Sequence, residues 1–366
     1  MRKLNVGIIG ATGYVGQRFV SLLQAHPYFK PVLLAASSRS AGKRYGDLME
    51  TRWKLETPLP EAAKTQILVD AADLTAIASA CDFVFCAVDM PKDAIRSLEE
   101  RLARMETPVI SNNSAHRWTE DVPVIIPEIN PEHAALIELQ RKRLGTKRGF
   151  IVCKPNCSIQ SYVPALSALR AYGLDTVFVS TYQAISGAGK TFQDWPEMEH
   201  NLIPYIAGEE EKTEREPLKI WGDLRADGGL NLAEEPRISA QCYRVAVAEG
   251  HTAAVSVGFR KPVSREAILE AWRNYRGQAQ DLQLPTAPSS FLIYHEEADR
   301  PQPRLDAGAG NGMSISLGRL REDPILDWKF TCFSHNTLRG AAGGAVETAE
   351  LLYRLGYLEA GGSNER

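Results

Sequence analysis

Apolar residues in this chain fall into short runs of strand length, separated in the first third by stretches of helical periodicity. Leu4 to Ile9 is the first run. The segment Gly10-Ala11-Thr12-Gly13-Tyr14-Val15-Gly16 and a helical pattern through Leu23 follow it directly. Residues 32–36, 67–69, 82–88, 108–111 and 122–126 read as further strands. Met90-Pro91 opens a helix to about Met105, and Pro131 begins a charged helix that ends near Gly145. This alternation predicts a parallel doubly wound sheet that binds ligands beyond the carboxyl ends of its strands.

The pattern then changes. Residues 176–185, 237–247, 252–259, 315–320 and 325–333 read as strands. Those at 237–247 and 252–259 are expected to be antiparallel neighbours joined through Glu249-Gly250-His251. Residues 264–275 read as a helix, and 278–312 as loops. Asn336 to Ala345 opens a final amphipathic helix to about Leu355, with small residues at its start. The charged stretch around Glu209-Glu210-Glu211-Lys212 suits a solvated helix face.

Between these patterns lies Ile151-Val152-Cys153-Lys154-Pro155-Asn156-Cys157-Ser158. It reads as a strand stopped by Pro155 and a helix starting near Ser158, with Cys157 at the corner. A thiol there faces unpaired N–H groups and the positive end of a helix dipole, which favour the nucleophilic thiolate. The glycines at 10, 13 and 16 lie between a first strand and a first helix. Gly10 permits the tight turn, Gly13 lets backbone amides approach a pyrophosphate, and Gly16 allows close helix–strand packing. After the second strand the chain reads Ser37-Ser38-Arg39-Ser40, with no carboxylate for a ribose hydroxyl. Hydroxyls and a cation suit a 2′-phosphate, which favours NADP over NAD. Arg117, in a loop leaving the carboxyl end of a strand, is a candidate anion clamp. Ser186-Gly187-Ala188-Gly189-Lys190-Thr191 is not a P-loop, because Ala184 stands where that motif needs glycine.

Composition narrows the partners. Apolar residues make up 44%, charged residues 24%, and the net charge is -3. Nothing in that balance calls for nucleic acid or a membrane surface. No run is long enough to span a bilayer, and no leader is expected before the first strand. The six cysteines suit reduced cytoplasmic thiols. No Cys/His spacing suggests a metal, so none is expected.

A nucleotide site, a cornered thiol and a histidine suit one reaction. A thiolate adds to an aldehyde, hydride passes to NADP, and a second nucleophile opens the thioester. His26, His116, His133, His200, His251, His295 and His335 are all available as the base. The strings GATGYVG at 10–16, SNNSAHR at 111–117, KPNCS at 154–158 and QAISGAGK at 183–190 come in one order. IPYIAGEEEK at 203–212, RVAVAEGH at 244–251 and NTLRGAAG at 336–343 continue it. Together they resemble the aspartate-semialdehyde dehydrogenase family, in its archaeal and fungal branch, over nearly the whole chain.

That resemblance implies Cys157 as nucleophile and His251 as general acid/base. It has Gln183 help place the substrate, Arg244 bind its α-carboxylate and Glu209 hold its amino group, with Arg117 and Lys212 on inorganic phosphate. It assigns Gly10, Thr12, Gly13, Tyr14, Val15, Gly16, Ser37, Ser38, Arg39, Ser40, Ser186, Gly187 and Asn336 to NADP. The implied architecture is a Rossmann-like domain over 1–156, completed by 336–366, and an α+β catalytic and dimerisation domain over 157–335. The implied assembly is a homodimer or homotetramer. The implied reaction is NADPH-dependent reduction of L-4-aspartyl phosphate to L-aspartate 4-semialdehyde and phosphate, serving lysine, threonine and methionine synthesis. Malonyl-CoA reductases and N-acetyl-glutamyl-phosphate reductases share the machinery, but the latter typically place glycine where this chain has Asn156. A catalytically silent NADP-binding regulator is the alternative from another class.

Overall fold

The computed structural model describes residues 2–361; Met1 and 362–366, the ends of the expected first domain, lie outside the described residues. The first sheet contains β1 (Leu4–Ile9), β2 (Phe29–Ala36), β3 (Val69–Asp70), β4 (Phe83–Cys86), β5 (Val109–Ser111) and β6 (Ile151–Cys153). All are parallel, in the order β3-β2-β1-β4-β5-β6. The order reverses at β1, which opens a crevice beyond its carboxyl end. Helix α1 (Tyr14–Leu22) leaves that end, while α2 (Lys92–Arg104) and α3 (Leu136–Leu144) follow β4 and β5. Gly145 closes α3 in the left-handed conformation.

The second sheet holds β7 (Leu174–Gln183), β8 (Leu202–Ile203), β11 (Arg237–Val245), β12 (His251–Phe259), β13 (Leu292–His295), β14 (Ile315–Glu322) and β15 (Trp328–Ser334). Its order is β13-β14-β15-β12-β7-β11-β8. A small hairpin, β9 (Asp223–Leu224) with β10 (Leu230–Asn231), stands apart. Helix α4 (Glu209–Ile220) packs on β11, and α5 (Arg265–Asn274) begins at Ser264, whose hydroxyl accepts from the Ala267 N–H. One apolar cluster runs from Val84, Val109 and Ile151 of the first sheet to Val177, Val255 and Phe330 of the second. The two sheets therefore share a continuous core.

Four expectations are corrected. The strands at 237–245 and 251–259 are not neighbours, because β7 lies between them, parallel to β11 and antiparallel to β12. The run 122–126 makes only an isolated bridge, Val124 to Cys153. Pro123 lacks an N–H there, and Asn130 takes over the Val124 carbonyl and the Ile126 N–H. Segment 278–312 is not all loop, since it supplies the edge strand β13. The final helix, α6 (Gly343–Arg354), is not amphipathic; it follows a π-helical turn over Leu338–Ala342, and every residue from Gly343 to Leu352 is buried.

Burying α6 on all sides also buries Glu347 and Glu350. Glu350 meets His26 at 2.7 Å, and Glu347 meets Arg339 at 2.6 Å. Arg339 also pairs with Glu128 at 2.7 Å, gives its Nε–H to the Met313 carbonyl and stacks on Phe291. Among the described residues no helix is long and apolar enough to cross a membrane. Replacing Arg339 with Met strands two buried carboxylates, so chemical denaturation should show a loss of about 3–5 kcal/mol.

Candidate active site

Strand register builds half of the site. Gln183 ends β7, opposite Arg244 of β11 on one side and His251 of β12 on the other. Three of the expected site residues thus share one row across the sheet. The cysteine arrives from the first sheet, through the turn that follows β6. Its Sγ lies 3.4 Å from His251 Nε2. Gly340 packs under it, where an added Cβ would stand 2.9 Å from Cys157 Cβ.

No long helix follows Cys157. The chain makes a short 3-10 turn, Ile159–Ser161, and then the five-residue helix Val163–Ser167. The thiol therefore lacks the expected help from a helix dipole, and its pKa is raised rather than lowered. Burial and then Glu209 push the thiol above its ordinary value, while Lys154, Arg244 and Arg117 pull it back. Burial, followed by Arg244, holds His251 down at about 3, so the ring is neutral near pH 7. The Ala184 N–H donates to Nδ1 at 3.1 Å, which leaves the ring proton on Nε2, facing the sulfur.

Asn156 joins the cysteine turn to the acidic end of α4. Its Nδ2 donates to Glu209 Oε1 at 2.9 Å, and its Oδ1 accepts from the Ser158 N–H. Gln183 Nε2 also reaches Glu209 Oε1, at 3.2 Å, and Lys212 pairs with Oε2 at 3.1 Å. Burial alone would raise the Glu209 pKa, but Lys212 and the two amides carry it below the usual range. Arg244 is anchored on the Ala184 carbonyl at 2.7 Å. Gly187 makes room for it, because a Cβ there would meet Arg244 Nη1 at 2.6 Å and His251 Cε1 at 3.1 Å.

A cavity of about 400 Å³ is lined by Arg117, Cys157, Gln183, Ser186, Gly187, Glu209, Lys212, Arg244, Asn336 and Val15. Asn336 gives its Nδ2 to Ser186 Oγ at 2.9 Å and accepts the Gly250 N–H at 2.7 Å. The glycine turn lies beside this cavity. Gly10 has φ +91° and its Cβ would strike the Ala87 carbonyl; a Cβ on Gly16 would strike the Gly10 carbonyl. Gly13 starts α1 with no side-chain cap and no acidic residue in the first turn, so the amino end is free for a phosphate. Ser37, Ser38 and Arg39 are exposed past the end of β2, whereas Ser40 is buried. The residues present thus fit a dinucleotide with an extra phosphate. Tyr14 turns elsewhere, donating to Glu249, which also binds Arg18 and His335 at the edge of a cleft of about 900 Å³.

Residues 5–137 match the family model described as "Semialdehyde dehydrogenase, NAD binding domain", and residues 166–339 match "Semialdehyde dehydrogenase, dimerisation domain". An aspartate-semialdehyde dehydrogenase of Archaeoglobus fulgidus is 44% identical over 96% of this chain and 98% of its own length. That of Saccharomyces cerevisiae is 42% identical over 96% and 98%. The chain belongs to the aspartate-semialdehyde dehydrogenase family. A crystal structure of the Candida albicans aspartate-semialdehyde dehydrogenase with NADP superposes with a TM-score of 0.86 at 36% identity, covering 97% of this chain and all of the other. In this member of the family, some polar groups at the site left no separate mark in the sequence. Lys154 and Asn156 stood in the KPNCS string without a role of their own, and Glu216 was not singled out. Glu216 alone had an available signal, since it lies on the face of α4 that carries Glu209 and Lys212. Lys154 is 2% exposed, has its Nζ on the Pro155 carbonyl at 2.6 Å, and is pushed by burial to about 7.

Two measurements check these electrostatics. The rate of Cys157 alkylation against pH should inflect above the ordinary thiol value, because burial outweighs the nearby cations. Lys154 has a folded pKa below its ordinary 10.5. The unfolded chain therefore binds the extra proton between pH 10.5 and about 7, and stability falls as pH drops through that window. In Lys154→Met, urea titrations should show this slope flattened.

Proposed function

We propose that the chain reduces L-4-aspartyl phosphate to L-aspartate 4-semialdehyde, releasing phosphate, in the biosynthesis of lysine, threonine and methionine. The observation that carries the reading is the contact of His251 with Cys157, which lines a cavity together with Arg244, Glu209 and the cationic pair Arg117 and Lys212. The Cys157 thiolate attacks the acyl-phosphate carbon, the C–O bond to phosphate breaks, and a thioester remains on sulfur. Arg117 and Lys212 receive the departing phosphate. Arg244 takes the α-carboxylate and Glu209 the amino group. When bound, NADPH supplies the hydride that reduces the thioester carbon. His251 offers its Nε2 proton to the oxygen that gains charge there. Collapse of that adduct returns the proton to His251 Nε2, breaks the C–S bond, frees the aldehyde and restores the thiolate. The reverse sequence oxidises the semialdehyde with phosphate as acceptor.

The glycine turn and Ser37, Ser38 and Arg39 support NADP as cofactor. We assign residues 1–156 with 336–366 to the cofactor unit and 157–335 to the catalytic and dimerisation unit. Phe178 and Tyr182 are exposed on the interior strand β7, and Tyr182 stacks on Tyr243 at 5.6 Å. An aromatic face in the middle of a sheet suits a homodimer; a homotetramer would pair two such dimers. A reducing compartment, the cytoplasm, suits a free catalytic thiol.

With L-aspartate semialdehyde and NADP, NADPH should form only when phosphate is added, and Cys157→Ala should lower kcat at least about 10³-fold. No turnover, alongside reduction of malonyl-CoA, would overturn the substrate. Arg39→Ala should raise the NADP KM while leaving that for NAD unchanged. Phe178→Asp should shift the sedimentation mass to the monomer.

A further inference from the structure

Glu216 lies on α4, seven residues after Glu209 and four after Lys212, and is 3% exposed. Its two oxygens serve different masters. Oε1 accepts from Arg117 Nη1 at 2.9 Å, and Oε2 accepts the Asn156 N–H at 2.7 Å. Asn156 immediately precedes the nucleophile. One carboxylate therefore spans from the phosphate-binding arginine to the turn that carries the thiol. Arg117 is held at two further points: its Nε donates to the Lys154 carbonyl at 3.1 Å and its Nη2 to the Asn112 carbonyl at 3.2 Å. Three of its five N–H bonds are thereby used, and two remain for a ligand in the cavity it lines. One turn later on α4, Lys219 Nζ caps the carbonyls of Arg117, Thr119 and Val122 at 2.7, 3.1 and 3.0 Å. The helix thus fixes the arginine by its backbone and its head together. Pro217 interrupts the ladder of α4, and the Thr213 carbonyl it leaves free accepts the Tyr162 hydroxyl at 2.7 Å.

We infer that Glu216 is a positioning residue for phosphate: it aims the Arg117 guanidinium and sets its distance from Cys157. The inference rests on Arg117 as a phosphate ligand, as in the function proposed above. Removing the carboxylate charge makes the consequence specific. In Glu216→Gln the amide oxygen can keep the Asn156 N–H, but the amide nitrogen then confronts Arg117 Nη1, donor against donor. Arg117 loses its aim while the cysteine turn stays tethered. The phosphate side should suffer and the semialdehyde side should not.

The test is a double-mutant cycle in the phosphate-dependent oxidation of the semialdehyde, with thermal melts run on every variant. Glu216→Gln should raise the KM for phosphate about tenfold, with less than about a twofold change in the KM for semialdehyde. In an Arg117→Met background the same substitution should add nothing, because the group it aims is gone. Glu216→Asp, which keeps the charge but shortens the arm, should fall between wild type and Glu216→Gln, and it replaces Glu216→Gln in the cycle if that variant does not fold. Equal increases in both KM values, or the same factor in the Arg117→Met background, would overturn the inference. A wild-type enzyme indifferent to phosphate would instead overturn the function on which it rests.

Discussion

The site depends on one alignment. Because β7 lies between β11 and β12 and pairs with both, Arg244, Gln183 and His251 end in a single row. No side-chain contact creates that row; backbone hydrogen bonds along whole strands do, and a slip of one residue would turn every member to the other face. The cysteine is brought to it from a separate sheet, so the contact with His251 is only as firm as the packing between sheets. That packing is a continuous apolar core, with Val84 and Ile151 in the same cluster as Val177 and Val255. Preorganisation at the sulfur is thus a property of the whole interior.

Around this row Glu209, Asn156 and Gln183 have partners before any substrate arrives, while Arg244 and Arg117 keep N–H groups to spare. Glu209 already holds Asn156, Gln183 and Lys212, and Arg244 rests on a backbone carbonyl. Such contacts keep charged groups tolerable at low exposure and fix their direction. They also mean that any cation approaching Glu209 has to compete with Lys212, and displacing that lysine would free its ammonium for an anion.

The doubly wound half was legible in the sequence because its signal is local. A short apolar run, a glycine turn and a helix announce β1 and α1 within about twenty residues, and the same alternation repeats. The thiol, its histidine and their neighbours were legible through motif strings. What stayed hidden was long-range. Nothing near 237–259 says that residues 174–183 will insert between those two strands, since strand order is decided by crossovers rather than by alternation. Pro123 gave a readable warning that 122–126 would not pair as a strand. The burial of α6 was masked by Glu347 and Glu350: His26, which meets Glu350, lies at the far end of the chain, and Arg339, just before α6, is shared between Glu347 and the distant Glu128. The thiol's surroundings were misjudged for a similar reason: a corner was visible, but the shortness of the helix after it and the depth of its burial were not.

Glu249 joins parts of the chain that are far apart in sequence. Tyr14 and Arg18 reach it from α1, and His335 reaches it from the end of β15. These partners hold its carboxyl at about 2 against the opposing effect of burial. Two residues further along the backbone is His251, whose imidazole meets Cys157. Separating the two sheets as rigid bodies would have to tear this ionised knot apart and expose the shared core as well. Opening of the crevice by such a motion would therefore be opposed, at one point, by the hold of Arg18 and Tyr14 on Glu249.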